Sequence, residues 1–260
     1  MRRALAAALL VLVAGCGAGG TRVIVAAGTT LVDSGVLDEV VGYYEREHPG
    51  VNISVVGDAT ARALDLGRHG AAEVLITHAP TAEAAFVAEG NAARYEPLMT
   101  SRFVLVGPPE RAALLSGLTP EEAFARIAGE GWEFVTRADG SGTEAAERSI
   151  WNVIGIDPSG ELWYTATGLG MGDTLQVADQ RGAFTLAEEG TFLSASPVLS
   201  LVSPDLIASD RLVNPYHVTL VVGSSAEAGG FVDWLLSGEG RAAIVAANQA
   251  RFGAQIFVVP

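Results

Sequence analysis

Between residues 22 and 78 the chain switches hydrophobic period four times, and this alternation limits the possible folds more than any other feature. "RVIVAA" (22–27) is a short apolar run of strand type. "DSGVLDEVVGYYEREH" (33–48) places Val36, Val40, Val41 and Tyr44 on one face of a helix. "VNISVVG" (51–57) predicts a second strand, "ATARALDLGRHG" (59–70) a helix closed by Gly70, and "AEVLITH" (72–78) a third strand. Strands separated by helices of this length pair in parallel through right-handed crossovers, so the segment predicts an α/β lobe with helices on both faces of a sheet.

The rest of the chain repeats the rhythm less regularly. A helix at 82–90 precedes a strand at 101–109 that runs into prolines. A helix at 120–129, a strand at 133–136, a helix at 143–154 and a glycine-rich stretch then lead to a strand at 214–222. "AGGFVDWLLSGEGRAAIVAANQ" supplies two terminal helices with no sheet of their own, so they are expected to return to the first lobe. The expected division is 22–104 for lobe 1, 105–214 for lobe 2 and 215–260 for the return, with a cleft between the lobes.

The first residues stand apart. "MRRALAAALLVLVAGC" combines two arginines with an apolar run shorter than the ~20 residues that span a bilayer, and residues 1–15 read as a signal peptide. Val13-Ala14-Gly15-Cys16 resembles the lipobox of bacterial lipoproteins, so Cys16 is expected to carry lipid and residues 16–21 to form a tether; an ordinary signal peptide is the alternative. Cys16 is the sole cysteine, which rules out a disulfide within the chain. All 16 basic residues are arginine, and the net charge of −14 argues against nucleic acid as a partner. The same charge repels anions at long range, although screening confines that field to about 8–10 Å.

Ligands of open parallel sheets bind beyond the carboxyl ends of the strands, where loops enter helices. Three such loops, "AAGTTLVDSG", "VGDATA" and "TRADGSGT", are rich in hydroxyls and glycine. The third carries Arg137 ahead of Ser141, Gly142 and Thr143, with Thr143 as the expected N-cap of a helix whose buried face is Ala146, Ile150, Val153 and Ile154. The first amides of a helix lack acceptors and favour an anion. Three helix ends and one arginine amount to about +2.5, which suits a small dianion, and arginine adds a two-pronged grip. The "GLGMG" segment lacks the last glycine of a dinucleotide loop and is expected to bring Gly170, Gly172 and Thr174 near the ligand. His48, His69, His78 and His217 have no metal-ligand spacing, Ser141 is not in a nucleophile elbow, and Trp132, Trp151, Trp163 and Trp234 are expected in the core.

Across residues 22–246, blocks such as "FVTRADGSGTEAAERSIW", "GAFTLAEEGTFL", "LVNPYHV" and "FVDWLLSGEG" resemble the tungstate-binding proteins of bacterial ABC importers, within the type II periplasmic binding proteins. The resemblance implies a two-lobed α/β fold that closes on one oxyanion, no cofactor or catalysis, a monomer, and delivery to an ABC permease with its ATPase. It implies tungstate or molybdate as ligand and an extracytoplasmic, lipid-anchored location. Arg137 and Thr143 match the family's anion-binding arginine and threonine, and Thr29 and Thr30 fall in its hydroxyl-rich first loop.

Three departures qualify that match. Ala27 and Gly28 lack the hydroxyls of the first loop. Asp58, between Gly57 and Ala59 in the second loop, either caps the helix with its side chain turned away or accepts a proton from a protonated oxyanion such as phosphate. Glu188-Glu189 replaces an aspartate-arginine pair and removes one cation. A membrane-anchored sensor built on the same closure remains the other functional class.

Overall fold

The computed structural model describes residues 20–260, so the expectations for the signal peptide and Cys16 lie outside the described residues. β1 (Thr21–Gly28) leads into the single turn α1 (Thr29–Asp33), then α2 (Val36–Glu47), β2 (Val51–Asp58), α3 (Thr60–Arg68), β3 (Val74–Thr77), α4 (Pro80–Ala88) and the long β4 (Ala92–Val106). α5 (Pro109–Ala112), α6 (Pro120–Glu130), β5 (Phe134–Thr136), α7 (Gly142–Val153), β6 (Tyr164–Ala166) and α8 (Met171–Arg181) follow. β7 (Thr185–Glu188), α9 (Glu189–Ala195), β8 (Val213–Val221), α10 (Ala226–Leu236) and α11 (Gly238–Phe252) complete the order.

The main sheet runs β2-β1-β3-β8-β4-β7. β1 pairs in parallel with β2 and β3, as the βαβ rhythm requires, whereas β8 is antiparallel to both β3 and β4. The sheet is therefore mixed: the crossover strands connect two lobes and are free of the βαβ constraint. β4 begins nine residues before the expected strand, because bulges at Ala92/Arg94 and Pro97/Met99 break the two-residue alternation that marks a strand in sequence. On the far side, β7 pairs with the end of β4, β5 bonds the residue just ahead of β7 through Val135 N–H to the Phe184 carbonyl at 2.8 Å, and β6 pairs in parallel with β5.

Each side of the crossover has its own core. Val23, Val25 and Ile76 pack with Phe231, Trp234 and Ile244, so α10 and α11 cover the β1 side of the sheet. Phe124, Phe134, Trp151 and Phe184 form the centre of the other core, edged by Trp132 and Trp163. The four tryptophans are thus packing residues. Burying side chains of this size contributes about 1.5–3 kcal/mol each, enough for both lobes to hold together without a disulfide.

Candidate anion-binding site

Arg137 follows β5 and is only 2% exposed. Its Nη2 donates to Thr29 Oγ1 at 3.0 Å, across the cleft, and to Asp139 Oδ2 at 2.5 Å. Nε and Nη1 have no hydrogen-bond partner, which leaves one N–H on Nε and two on Nη1 uncommitted. The loop that holds the guanidinium is fixed by its own backbone. Asp139 Oδ1 accepts from Ser141 N–H at 3.1 Å, Gly140 N–H donates to Glu144 at 2.6 Å, and Gly168 N–H donates to the Arg137 carbonyl at 2.7 Å. Ala138, with φ 49°, is the one non-glycine residue in the left-handed region among the described residues, a strain of about 1–2 kcal/mol.

Four threonine hydroxyls among the described residues share the guanidinium's condition, those of Thr60, Thr77, Thr136 and Thr143, and of these Thr60 and Thr143 stand at the helix ends that open on the cleft. Thr143 was expected to cap α7, but the helix starts one residue earlier: Ser141 is extended and its hydroxyl accepts from Glu144 N–H at 3.2 Å. A cap bonds the amide two or three residues on, so Ser141 takes that role and frees Thr143. Thr60 opens α3, whose N-cap Ala59 offers no side-chain acceptor, whereas α6, α10 and α11 are capped by Thr119, Ser225 and Ser237. The α3 end therefore keeps its free amides, and a Cβ added at Gly140 would stand 3.4 Å from Ala61 Cβ. Unpartnered buried donors of this kind cost about 1–3 kcal/mol each unless a ligand takes them, and here they come from both lobes.

The other expected residues divide. Thr29 faces Arg137. The Thr30 hydroxyl does not serve the cleft: it is fully buried and bonded to Tyr216 Oη at 3.1 Å and His78 Nε2 at 3.4 Å. Thr174 is likewise taken up inside lobe 2, where its hydroxyl meets that of Thr167 at 3.1 Å. Gly170 is the N-cap of α8 and has no side chain to cap with. Gly172 gives its amide to Asp33 of α1, whose carboxyl burial holds above the usual range despite Arg137 nearby. Gly57 is exposed beside Val32. Asp58 does not cap α3: Ala59 holds that position, and Asp58 Oδ1 accepts from Ala59 N–H at 2.8 Å. The Asp58 side chain lies in a surface depression with Arg62, Asp65 and His69 along α3.

Charge balance also differs from the sequence estimate. Asp139 neutralises Arg137 and α1 is one turn long, so neutral donors carry more of the task than a sum of about +2.5 implies. Thr60 and Asp139 lay within the loops that were singled out, yet nothing in their spacing distinguishes a ligand donor or a guanidinium partner from turn residues. Asp33 and His78 carried no signal beyond loop position.

Behind the cleft runs a buried polar layer. His78 Nδ1 donates to Asn214 Oδ1 at 2.9 Å, and Asn214 Nδ2 donates to Ser101 at 3.2 Å. Burial lowers the His78 imidazole to about 4, so it is neutral and its Nε2 can accept from Thr30. Glu188 caps α9, accepting from Gly190 N–H at 3.0 Å and Thr191 N–H at 2.8 Å, and burial raises it to about 7. Glu189 pairs with Arg102 at 3.4 Å. Thr191 Oγ1 donates to the Thr30 carbonyl at 2.9 Å, tying α9 of one lobe to α1 of the other. The lobes are thus closed against each other.

Residues 17–239 match the PBP superfamily domain. The chain belongs to the periplasmic-binding-protein superfamily. Among members of this superfamily, it is 34% identical over 246 residues to the tungstate-binding protein TupA of Peptoclostridium acidaminophilum, covering 90% of this chain and 84% of that protein. The structure described as the tungstate ABC transporter from Geobacter sulfurreducens superimposes with a TM-score of 0.77 at 32% identity, covering 86% of this chain and 98% of that one. The tungstate-binding protein TupA from Desulfovibrio alaskensis G20 superimposes with a TM-score of 0.70 at 29% identity, covering 86% and 93%.

Proposed function

We propose that this chain captures a tetrahedral oxyanion, tungstate first and molybdate next, and delivers it to an ABC permease with its ATPase. The observation that carries the reading is the set of buried donors without partners, Arg137 Nε and Nη1 with Thr60 and Thr143 Oγ1, drawn from both lobes. The tungstate-binding relatives support the choice of anion. Thr29 and the amides of Thr60, Gly142 and Thr143 complete the grip, with Ser141 setting the end of α7. A fully deprotonated anion needs donors only, and Asp58, turned into the surface depression, offers it no acceptor. That weakens the case for phosphate, which would seek an acceptor for its proton.

On this reading the protein works outside the cytoplasmic membrane, held by lipid on Cys16, as a monomer and not as an enzyme or a sensor. Calorimetric titration of residues 16–260 bearing Cys16→Ser with tungstate, molybdate, sulfate and phosphate tests it. Tungstate should bind most tightly. Preference for phosphate, or no binding by any of the four, refutes it.

A further inference from the structure

His78 follows β3, outside the set of donors, yet the start of α7 from the other lobe presses against it. A Cβ added at Gly142, the first residue of α7, would lie 2.7 Å from His78 Nδ1 and 2.9 Å from Cε1, and closer still to the His78 carbonyl oxygen. Real Cβ atoms do not approach that near, and a backbone carbonyl cannot swing aside as a side-chain tip can. On the opposite side, a Cβ at Gly28 would lie 3.0 Å from His78 Cδ2. The ring is therefore clasped between a glycine of its own lobe and a glycine of the other. It is also stacked on Tyr216, with ring centroids 4.9 Å apart, and fixed by the bond from Nδ1 to Asn214 on the crossover strand β8.

We propose that His78 is the seat on which lobe 2 closes, and that residue 142 must be glycine so that the α7 end can reach the position from which it holds the anion. His78 acts as a positioning residue: its backbone sets how near α7 comes, and its imidazole links that contact to Thr30 on one side and β8 on the other. The glycine of "DGSGT" is thus required by packing between lobes. Its own φ is not in the left-handed region, so backbone freedom does not explain it. The inference rests on the proposed closure around an oxyanion, but part of its test does not need a ligand.

Gly142→Ala keeps the amide that an anion would use and adds one methyl. The ligand-free variant should still fold and melt cooperatively, because the lobes can part to relieve the collision. With tungstate it should bind at least about tenfold more weakly and fail to contract in small-angle X-ray scattering. Gly129→Ala, in α6 where an added Cβ meets nothing, should match the wild type in every readout. The ligand-free arm uses Ala61→Cys with Gly140→Cys on a Cys16→Ser background, since those Cβ positions lie 3.4 Å apart, near disulfide range, and the strain of a side chain at Gly140, with φ 74°, is common to both proteins compared. Adding Gly142→Ala should slow formation of that disulfide about tenfold. Equal disulfide rates overturn the proposal whether or not any anion binds. So does a Gly142→Ala variant that binds and contracts like the wild type, or one that unfolds without ligand, which would locate the collision inside one lobe.

Discussion

Replacing Arg137 by glutamine should separate its proposed grip on the anion from its pairing with Asp139. The guanidinium keeps three N–H groups free and spends Nη2 on Thr29 and Asp139. If two of the free groups engage the anion, charge-assisted bonds of about 1.5–3 kcal/mol each give a loss of about 3–6 kcal/mol, or roughly 10²–10⁴ in affinity. A second cost is paid without ligand. The Asp139 side chain is 12% exposed and loses its cation, keeping only the bond from Ser141 N–H. Breaking a buried pair from one side costs about 3–5 kcal/mol, and the partial exposure brings this to about 2–3 kcal/mol, a melting shift of roughly 5–10 °C for a chain of this size. Adding Asp139→Asn removes the stranded charge and should restore most of the melting temperature while affinity stays low. Calorimetry and thermal melts on the three proteins decide. Wild-type affinity in Arg137→Gln would remove Arg137 from the site, and a double variant that melts as low as the single one would refute the account of Asp139.

Other outcomes follow from the same geometry. Thr60→Val and Thr143→Val should each weaken binding about tenfold while leaving the ligand-free melt unchanged or higher, because neither hydroxyl has a protein partner to lose; a fall in that melt would contradict the assignment. Asp33 is held above its usual pKa by burial, against the pull of Arg137 and the Gly172 amide, so the folded chain binds this proton more tightly than the unfolded one and stability should rise as pH falls from 7 into the carboxylate range. Asp33→Asn should melt higher than the wild type at pH 7 with a flatter pH profile of stability, and an unchanged profile would dismiss this residue. Glu147, whose Oε1 accepts from Trp151 and Tyr164, is raised by burial from 4.5 to about 7. The folded state binds the extra proton, so its stabilisation is complete below about 4.5 and is lost as pH rises through about 7. Glu147→Gln should thus gain up to about 3 kcal/mol on the wild type between pH 5 and pH 8 in denaturant titrations, and a constant difference would show that Glu147 does not titrate there.

How far the site was legible depended on whether a residue's role was local. The βαβ order of β1 to β3 could be read because each element buries a periodic face of its own, as Val36, Val40, Val41 and Tyr44 do in α2. Arg137 stands out in the sequence because a lone arginine before a glycine-broken helix entry has few other uses, and the structure buries it with Nε and Nη1 unpartnered. Thr143 does not cap α7 as expected, since sequence alone cannot tell which of Ser141 and Thr143 bends back to do so. Thr30 was assigned to the ligand because its neighbours in chain are loop residues, whereas its neighbours in space are Tyr216, 186 positions away, and His78. Contacts of that span leave no periodicity or motif. The start of β4 was lost to bulges for a related reason, because the pairing that defines the strand lies with β8.

The Arg137–Asp139 pair bears on how a chain of net charge −14 could select one anion from many. A site with bare positive charge would attract every dianion alike, since Coulomb attraction depends on charge and distance and hardly on shape. With Asp139 against the guanidinium, the local charge is small and attraction at long range is weak. What remains is a set of donors in fixed places: three N–H groups on a guanidinium clamped by Thr29 and Asp139, two threonine hydroxyls, and amides at the ends of α3 and α7. Such donors repay an anion for its lost hydration only where its oxygens coincide with them, so discrimination comes from geometry. The closer the lobes seat, the finer that discrimination becomes, because Thr60 and Thr143 belong to different lobes and their separation is set by closure. On this account, selectivity between tungstate and sulfate should collapse together with closure in Gly142→Ala, and a variant that binds weakly yet keeps full selectivity would show that one lobe alone measures the anion.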